Sequence, residues 1–323
     1  MDGDPEQRGA LARKPRQLCP QRAGARSPAG LFRAAGGGGG DWLAEGETRF
    51  LKPFFLTVWT HEPHYPIKSD PAFKALYPGL SDDLEREHHA NVTQMDHAFG
   101  KLMGALAEMG LAEETFVFFT SDNGPEGDGV KTPGRGSSGG FRGRKRDLHE
   151  GGIRVPGIAR WPGKIPAGVT LEQPVIGSDL LPTMLAAAGV HSERLNSRVL
   201  DGVNVLPMLT GKTEGVERPQ PLFWRLQMAP NAKVAMREGD WKILANDQLS
   251  QFEFYNLARD PKETTDLQVK EADLFARMRA RLLAHNAAVE EEGPDWWKRL
   301  SPSGGHPLPA KGEKDRRSKQ GGE

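Results

Sequence analysis

Cysteine is almost missing from this chain: among 323 residues Cys19 carries the single thiol, so no disulfide can close within it. Net charge is missing too, because 43 Lys and Arg balance 43 Asp and Glu. Nothing in that global balance points to nucleic acid or to an anionic membrane surface. No apolar run approaches the roughly 20 residues of a membrane-spanning helix. Met1 to Lys14 has no apolar centre like that of a secretory leader. On these residues alone a cytoplasmic chain is expected, and only a further upstream segment would reverse that.

The two ends lack what a core needs. Residues 1–45 scatter Arg8, Arg13, Lys14, Arg16, Arg22, Arg26 and Arg33 among Pro, Ala and Gly, and Gly36 to Gly40 is unbroken glycine. Such a segment buries too little apolar surface to offset its ordering entropy, which predicts a disordered basic tail. A basic arm for an acidic partner is the other reading of the same residues. Residues 301–323, rich in Lys, Gly and Glu, are expected to be disordered as well.

What is present lies between them. Thr115-Phe-Val-Phe-Phe-Thr120 is β-branched and aromatic and apolar on both faces, which predicts a buried parallel strand. It stops in Ser-Asp-Asn-Gly-Pro. In open α/β sheets, ligands bind beyond the carboxyl ends of strands. Asp122 and Asn123 therefore offer one charged and one neutral oxygen where a hard cation or an anion would be held. The same residues also read as a plain turn. Pro53 to Trp59 is a second expected buried strand, leading into Thr60-His-Glu-Pro-His-Tyr-Pro66. Its prolines stiffen the loop that carries His61 and His64, for which metal ligation, acid–base chemistry and loop packing are all open.

Ser81 to Met109 has the spacing of a long helix, with Ser81 as cap, His88 and His89 on the surface and Gly110 as stop. Four of the five residues from Arg142 to Arg146 are basic, suiting either an anionic substrate group or a solvated charge run. Val155 to Trp161 reads as a strand whose Pro156 marks an edge or a bulge. Asp179 stands at the N-cap of a helix that ends near Gly189. Beyond Pro221 the pattern changes to short strands at Leu222, Ala235, Trp241 to Ala245 and Phe252 to Leu257, with a hairpin turn at Glu238-Gly-Asp. A helix over Lys270 to Val289 follows, with Leu274, Met278, Leu282 and Leu283 on one face. Trp296-Trp297 is placed to staple it to the main body.

Taken in order, these motifs resemble the formylglycine-dependent sulfatase family, in particular the arylsulfatases and N-acetylgalactosamine-6-sulfatase-like enzymes. The resemblance covers roughly residues 47–300. It is carried by Pro53-Phe-Phe-Leu with Thr60 to Pro66, Met95-Asp96, Thr115 to Gly124, Lys145 with Glu150 to Pro156, Trp161-Pro-Gly163, Asp179-Leu-Leu-Pro-Thr183 and Asp201 to Pro207. It implies an α/β fold, an alkaline-phosphatase-like mixed-sheet sandwich, with a small C-terminal antiparallel-sheet domain. The expected boundaries are 46–215 for the C-terminal part of the catalytic domain and 216–300 for the small domain.

The resemblance also implies roles. Asp122 and Asn123 match Ca²⁺ ligands, His64 the histidine that contacts sulfate or protonates the leaving oxygen, and Lys145 the lysine that holds a sulfate oxygen. The implied partner is a sulfate-ester small molecule or a sulfated glycan. Family members are mostly secreted, periplasmic or lysosomal. The chain also departs from the pattern. No strand with paired aspartates precedes residue 50, so the Ca²⁺ site is incomplete and the N-terminal strands of the sandwich are missing. The formylglycine motif Cys-x-Pro-Ser-Arg is absent, since Cys19 lies in Leu18-Cys-Pro-Gln-Arg22. The expectation is a sulfatase by descent that is inactive as it stands. The alternatives are a phosphoester hydrolase of the same superfold and a non-catalytic binder of sulfated glycans through Arg142 to Arg146.

Overall fold

The computed structural model describes residues 53–127, 134–190, 200–227, 229 and 231–293. The chain divides into residues 1–52 and 53–323, and all described residues belong to the second unit. The expectations for residues 1–45, Cys19, Trp296-Trp297 and residues 301–323 lie outside the described residues. Among the described residues no helix is long and apolar enough to cross a membrane.

A short helix α1 (Pro71–Lys74) precedes the long α2 (Asp83–Glu108). The cap of α2 is Asp82 rather than Ser81. Its backbone is extended, and its Oδ1 accepts from Leu84 N at 2.9 Å and Glu85 N at 3.3 Å. Gly110, at φ +69°, takes the left-handed position just past the helix end. Glu87 of α2 binds Lys74 Nζ at 2.9 Å and the Ser69 backbone N–H, which ties α1 to α2.

Two expectations fail nearby. Pro53 to Trp59 forms no strand: its backbone is open, with Phe55 75 % and Trp59 92 % exposed. Among the described residues no strand pairs with it, and a strand exists only by such pairing. The second concerns β1 (Val117–Thr120), which is half-buried and pairs antiparallel with β2 (Gly157–Arg160), not parallel. The chain doubles back between them, placing Phe118 opposite Ala159. Pro156 sits just before β2, and its carbonyl accepts from Thr120 Oγ1 at 3.0 Å. α3 (Glu150–Ile153) is a single turn between the two strands.

Downstream, α4 (Leu180–Ala187) and α5 (Leu206–Leu209) are joined through Asp179 and Thr183. Buried Asp179 accepts from Ile176 N and Val203 N, each at 2.9 Å, and pairs with Arg218 at 2.6 Å. Strands β3 (Leu222–Arg225), β4 (Val234–Glu238), β5 (Trp241–Ala245) and β6 (Phe252–Asn256) then form an antiparallel meander. Gly239, at φ +54°, sits in the tight β4–β5 turn. Strand alternation splits the meander into two apolar faces. One carries Val234, Met236, Ile243, Ala245 and Phe254 and is covered by Met278 and Leu282 of α6 (Ala272–Glu292). The other carries Ala235, Leu244 and Tyr255 and receives Leu148. That second face brings the Arg142–Glu150 segment down onto the sheet.

Candidate functional site

The end of β1 is held by backbone contacts that leave no room for side chains. Gly124 N donates to Gly152 O at 2.9 Å, and Lys145 N donates to Pro125 O at 3.0 Å. A Cβ at Gly124 would stand 1.9 Å from Gly151 O, at Gly151 2.2 Å from Gly143 O, and at Gly152 2.1 Å from Asp147 O. The Glu150-Gly-Gly turn is thus the surface on which the Asp122-Asn123-Gly124 strand end and the Lys145 loop both seat. The structure brings Asp122, Asn123 and Lys145 onto neighbouring segments.

Asp122 is exposed and Asn123 half-buried, and Ser121 Oγ donates to Asn123 O at 3.1 Å. Two side-chain oxygens fall short of the six to eight that Ca²⁺ takes. Among the described residues no three His, Cys, Asp or Glu side chains converge on a metal site. The described residues therefore do not by themselves make a complete Ca²⁺ site.

His64 sits on a different segment. Its loop is fastened to α2 by Gln94 Nε2, which donates to Glu62 Oε1 at 3.0 Å. His64 Nδ1 lies 2.6 Å from the Tyr65 carbonyl. A carbonyl only accepts, so Nδ1 carries a proton and Nε2 is the nitrogen placed for proton exchange. His61 packs edge-on against it at 5.9 Å. Of the two helix histidines, His89 is exposed as expected. His88 is half-buried, and burial first, then His89 and Arg144, lower its pKa.

The basic run resolves into separate tasks. Arg142 Nη1 donates to Glu253 Oε2 at 2.8 Å, Tyr255 Oη at 2.8 Å and Glu263 O at 3.2 Å. Arg144 donates to the carbonyls of Gly136 and Glu126. Arg146 forks onto the Glu126 carboxylate at 2.6 and 3.1 Å, and that hydrogen bond holds the Glu126 carboxyl below its ordinary range. Lys145 Nζ is 3.4 Å from Glu126 Oε2, a looser contact than the Arg146 fork. The three arginines serve the fold, and Lys145 is the cation most loosely committed to it.

Sequence reasoning missed the buried polar network beneath this loop. His149 is fully buried, with Nδ1 2.6 Å from Asp147 Oδ1 and Nε2 3.0 Å from Glu253 Oε2. Burial pulls its pKa down, but the hydrogen bonds to Asp147 and Glu253 outweigh that and raise it to about 9. The hydrogen bond from His149, against the cost of burial, lowers the Glu253 carboxyl to about 2. Next to it, Lys242 Nζ lies between Glu150 Oε1 at 2.9 Å and Glu263 Oε1 at 2.8 Å, all three side chains being buried. The spacing Asp147-Leu-His149 was the available signal for the first part. Nothing local points to Glu253 or Glu263.

Residues 41–190 match the Sulfatase family model, and residues 139–288 match that of the N-sulphoglucosamine sulphohydrolase C-terminal region. Steryl-sulfatase of Rattus norvegicus is 28 % identical over 330 residues, covering 86 % of this chain and 54 % of its own length. Arylsulfatase A of Bos taurus is 42 % identical over 191 residues, covering 59 % and 35 %. N-acetylgalactosamine-6-sulfatase of Canis lupus familiaris is 37 % identical over 175 residues, covering 54 % and 31 %. The chain thus spans about half the length, or less, of these curated relatives. Among solved structures, Ps i-CgsB matches at TM-score 0.59 and 27 % identity, covering 68 % of this chain and 47 % of its own. Its complex with k-i-k-neocarrahexaose matches at TM-score 0.54 and 27 % identity, covering 67 % and 46 %.

Proposed function

This chain belongs to the sulfatase family, and from that premise we propose that it is the C-terminal part of a sulfate ester hydrolase, carrying anion contacts but not the nucleophile. The observation that supports this reading is the docking of the Asp122-Asn123-Gly124 strand end and the Lys145 loop on one Glu150-Gly-Gly turn. The wider architecture that fits is an alkaline-phosphatase-like mixed-sheet sandwich with the β3–β6 meander and α6 as its small C-terminal domain.

In this reading each residue has one task. The Lys145 ammonium holds a sulfate oxygen and offsets charge on the leaving group. His64 Nε2 delivers a proton to the departing oxygen. Asp122 and Asn123 would contribute oxygen ligands to a Ca²⁺ ion, which would supply positive charge beside the sulfate. The family's nucleophile comes from a Cys-x-Pro-Ser-Arg motif, and Leu18-Cys-Pro-Gln-Arg22 departs from it. Residues that act as a unit lose nearly everything together, so residues 1–323 alone do not turn over. A sulfated sugar is the substrate class of choice. N-acetylgalactosamine-6-sulfatase names a sugar, and i-CgsB is solved in complex with a hexaose. Arg142, Arg144 and Arg146 each already donate to a protein acceptor, which weakens the glycan-binder alternative. No specific observation favours phosphoester hydrolysis.

The test is sulfate release from an aryl sulfate by residues 1–323, alone and mixed with a polypeptide bearing the formylglycine motif. The expected result is no saturable release from the chain alone, and binding of the ester that weakens in Lys145→Ala. Saturable release by the chain alone, or unchanged binding by Lys145→Ala, overturns the reading.

A further inference from the structure

The segment from Arg142 to Gly151 is closed at its neck, where Gly151 N donates to Arg142 O at 2.7 Å. Lys145 lies inside that closed loop. Side chains from both arms of the neck reach the same atom of the C-terminal meander. Arg142 Nη1 is 2.8 Å and His149 Nε2 3.0 Å from Glu253 Oε2 on β6. Tyr255 Oη donates to that oxygen at 2.6 Å. The mouth of the loop is thus gripped by one carboxylate more than a hundred residues away in sequence, at separations of 111 and 104 residues. Two positive groups that would otherwise repel across the neck are drawn together by one negative charge between them.

We propose that Glu253 is a positioning residue: it clamps both arms of the Arg142–Gly151 loop and thereby sets where Lys145 presents its ammonium. The loop's own bonds do not do this alone. Gly143, at φ +80°, and Arg146, at φ +73°, place left-handed kinks on either side of Lys145. Between them the tip is held to the Pro125–Glu126 segment by the Lys145 backbone bond and the Arg146 fork, and the two arms add the anchorage to the meander that fixes the base of the loop. The meander then has a role in anion recognition without supplying a contact to the anion. The importance of Lys145 rests on the proposed sulfate-ester reading, but the clamp is measured independently of it.

The experiment is amide hydrogen exchange of residues 142–149 in the full chain, comparing the wild type with Glu253→Gln, which keeps the shape and removes the charge. The amides of Ile243 and Leu244 in the core of β5 serve as the internal reference. Exchange over 142–149 is expected to quicken about tenfold or more while the β5 amides hold their rate. In parallel, the NMR shift of methyl-labelled Lys145 on adding inorganic sulfate is expected to shrink in Glu253→Gln and to recover in part in Glu253→Asp. Unchanged exchange over 142–149, or an equal rise in β5, overturns the clamp. If Glu253→Gln does not fold, Arg142→Gln and His149→Gln each release one arm and decide by the same comparison. A wild-type chain whose Lys145 ignores sulfate, with the exchange result intact, overturns the sulfate reading and leaves the clamp standing.

Discussion

At the scale of single residues, glycine and buried charge set the strongest constraints. At Gly151 and Gly152 an added methyl would meet backbone oxygens at 2.2 and 2.1 Å, and backbone cannot swing aside as a side-chain end does. Overpacking of this kind costs about 1–3 kcal/mol or more. Gly152→Ala is therefore expected to lose at least about 2 kcal/mol, read as a lower urea midpoint with an unchanged slope. Lys242 is the other constraint. Removing it in Lys242→Met leaves Glu263 buried without its cation and Glu150 with only the looser Arg154 and Arg237 contacts at 3.8 and 4.0 Å, a loss on the order of 3–5 kcal/mol. Burial already raises the Glu263 pKa. Lowering the pH lets that carboxyl protonate, so the deficit of Lys242→Met should shrink between pH 7 and pH 5. Equal deficits at the two values would remove the charge argument. Neither constraint is visible as a motif: Gly-Gly reads as a turn, and one lysine in a strand reads as solvated.

At the scale of elements, the Arg142–Gly151 loop carries a pH dependence with a definite sign. His149 is raised from its ordinary 6.5 to about 9, so its contribution is complete below about 6.5 and lost as pH rises through 9. Glu253 is lowered from 4.5 to about 2, so its contribution is complete above 4.5 and lost as pH falls through 2. The charged groups facing His149 are Asp147 on its own loop, Glu253 on β6 with Arg142 beyond it, and Glu263. Protection of amides 142–149, corrected for intrinsic exchange, should therefore be greatest between pH 4.5 and 6.5 and decline toward pH 9. A second element-level prediction concerns residues 53–59. Phe55 and Trp59 face water at 75 % and 92 % exposure, and such patches bind dyes and promote self-association. Phe55→Ser with Trp59→Ser should reduce dye binding and aggregation while leaving the unfolding midpoint where it was. A fall in that midpoint would mean the segment is packed in solution.

At the scale of the whole molecule, the chain matches the sulfatase family and spans about half the length, or less, of the curated relatives it matches, and the residues proposed to contact the anion sit on separate segments. If Asp122 and Asn123 are the two oxygen ligands, as proposed, Ca²⁺ is expected to bind no more tightly than about 1 mM, the weak end of protein sites, and Asp122→Ala should abolish that heat in calorimetry. Binding in the micromolar range would mean that further ligands exist. Much of the fold was legible in the sequence. The apolar spacing of α2, the meander β3–β6 with its Gly239 turn, and α6 with Met278 and Leu282 facing the sheet follow from patterns spanning a few residues. Hydrogen bonds in helices and hairpins join near neighbours, so the local order of side chains suffices to specify them. Three other features came only from the tertiary structure. The apolar run at Val117–Thr120 pairs antiparallel with β2, Pro53 to Trp59 has no described strand to pair with, and the basic run divides its charges between Glu126 and Glu253. A strand or a buried charge is completed by whichever distant segment packs against it. That choice is made by closing loops of 20 to 111 residues, which no local pattern encodes.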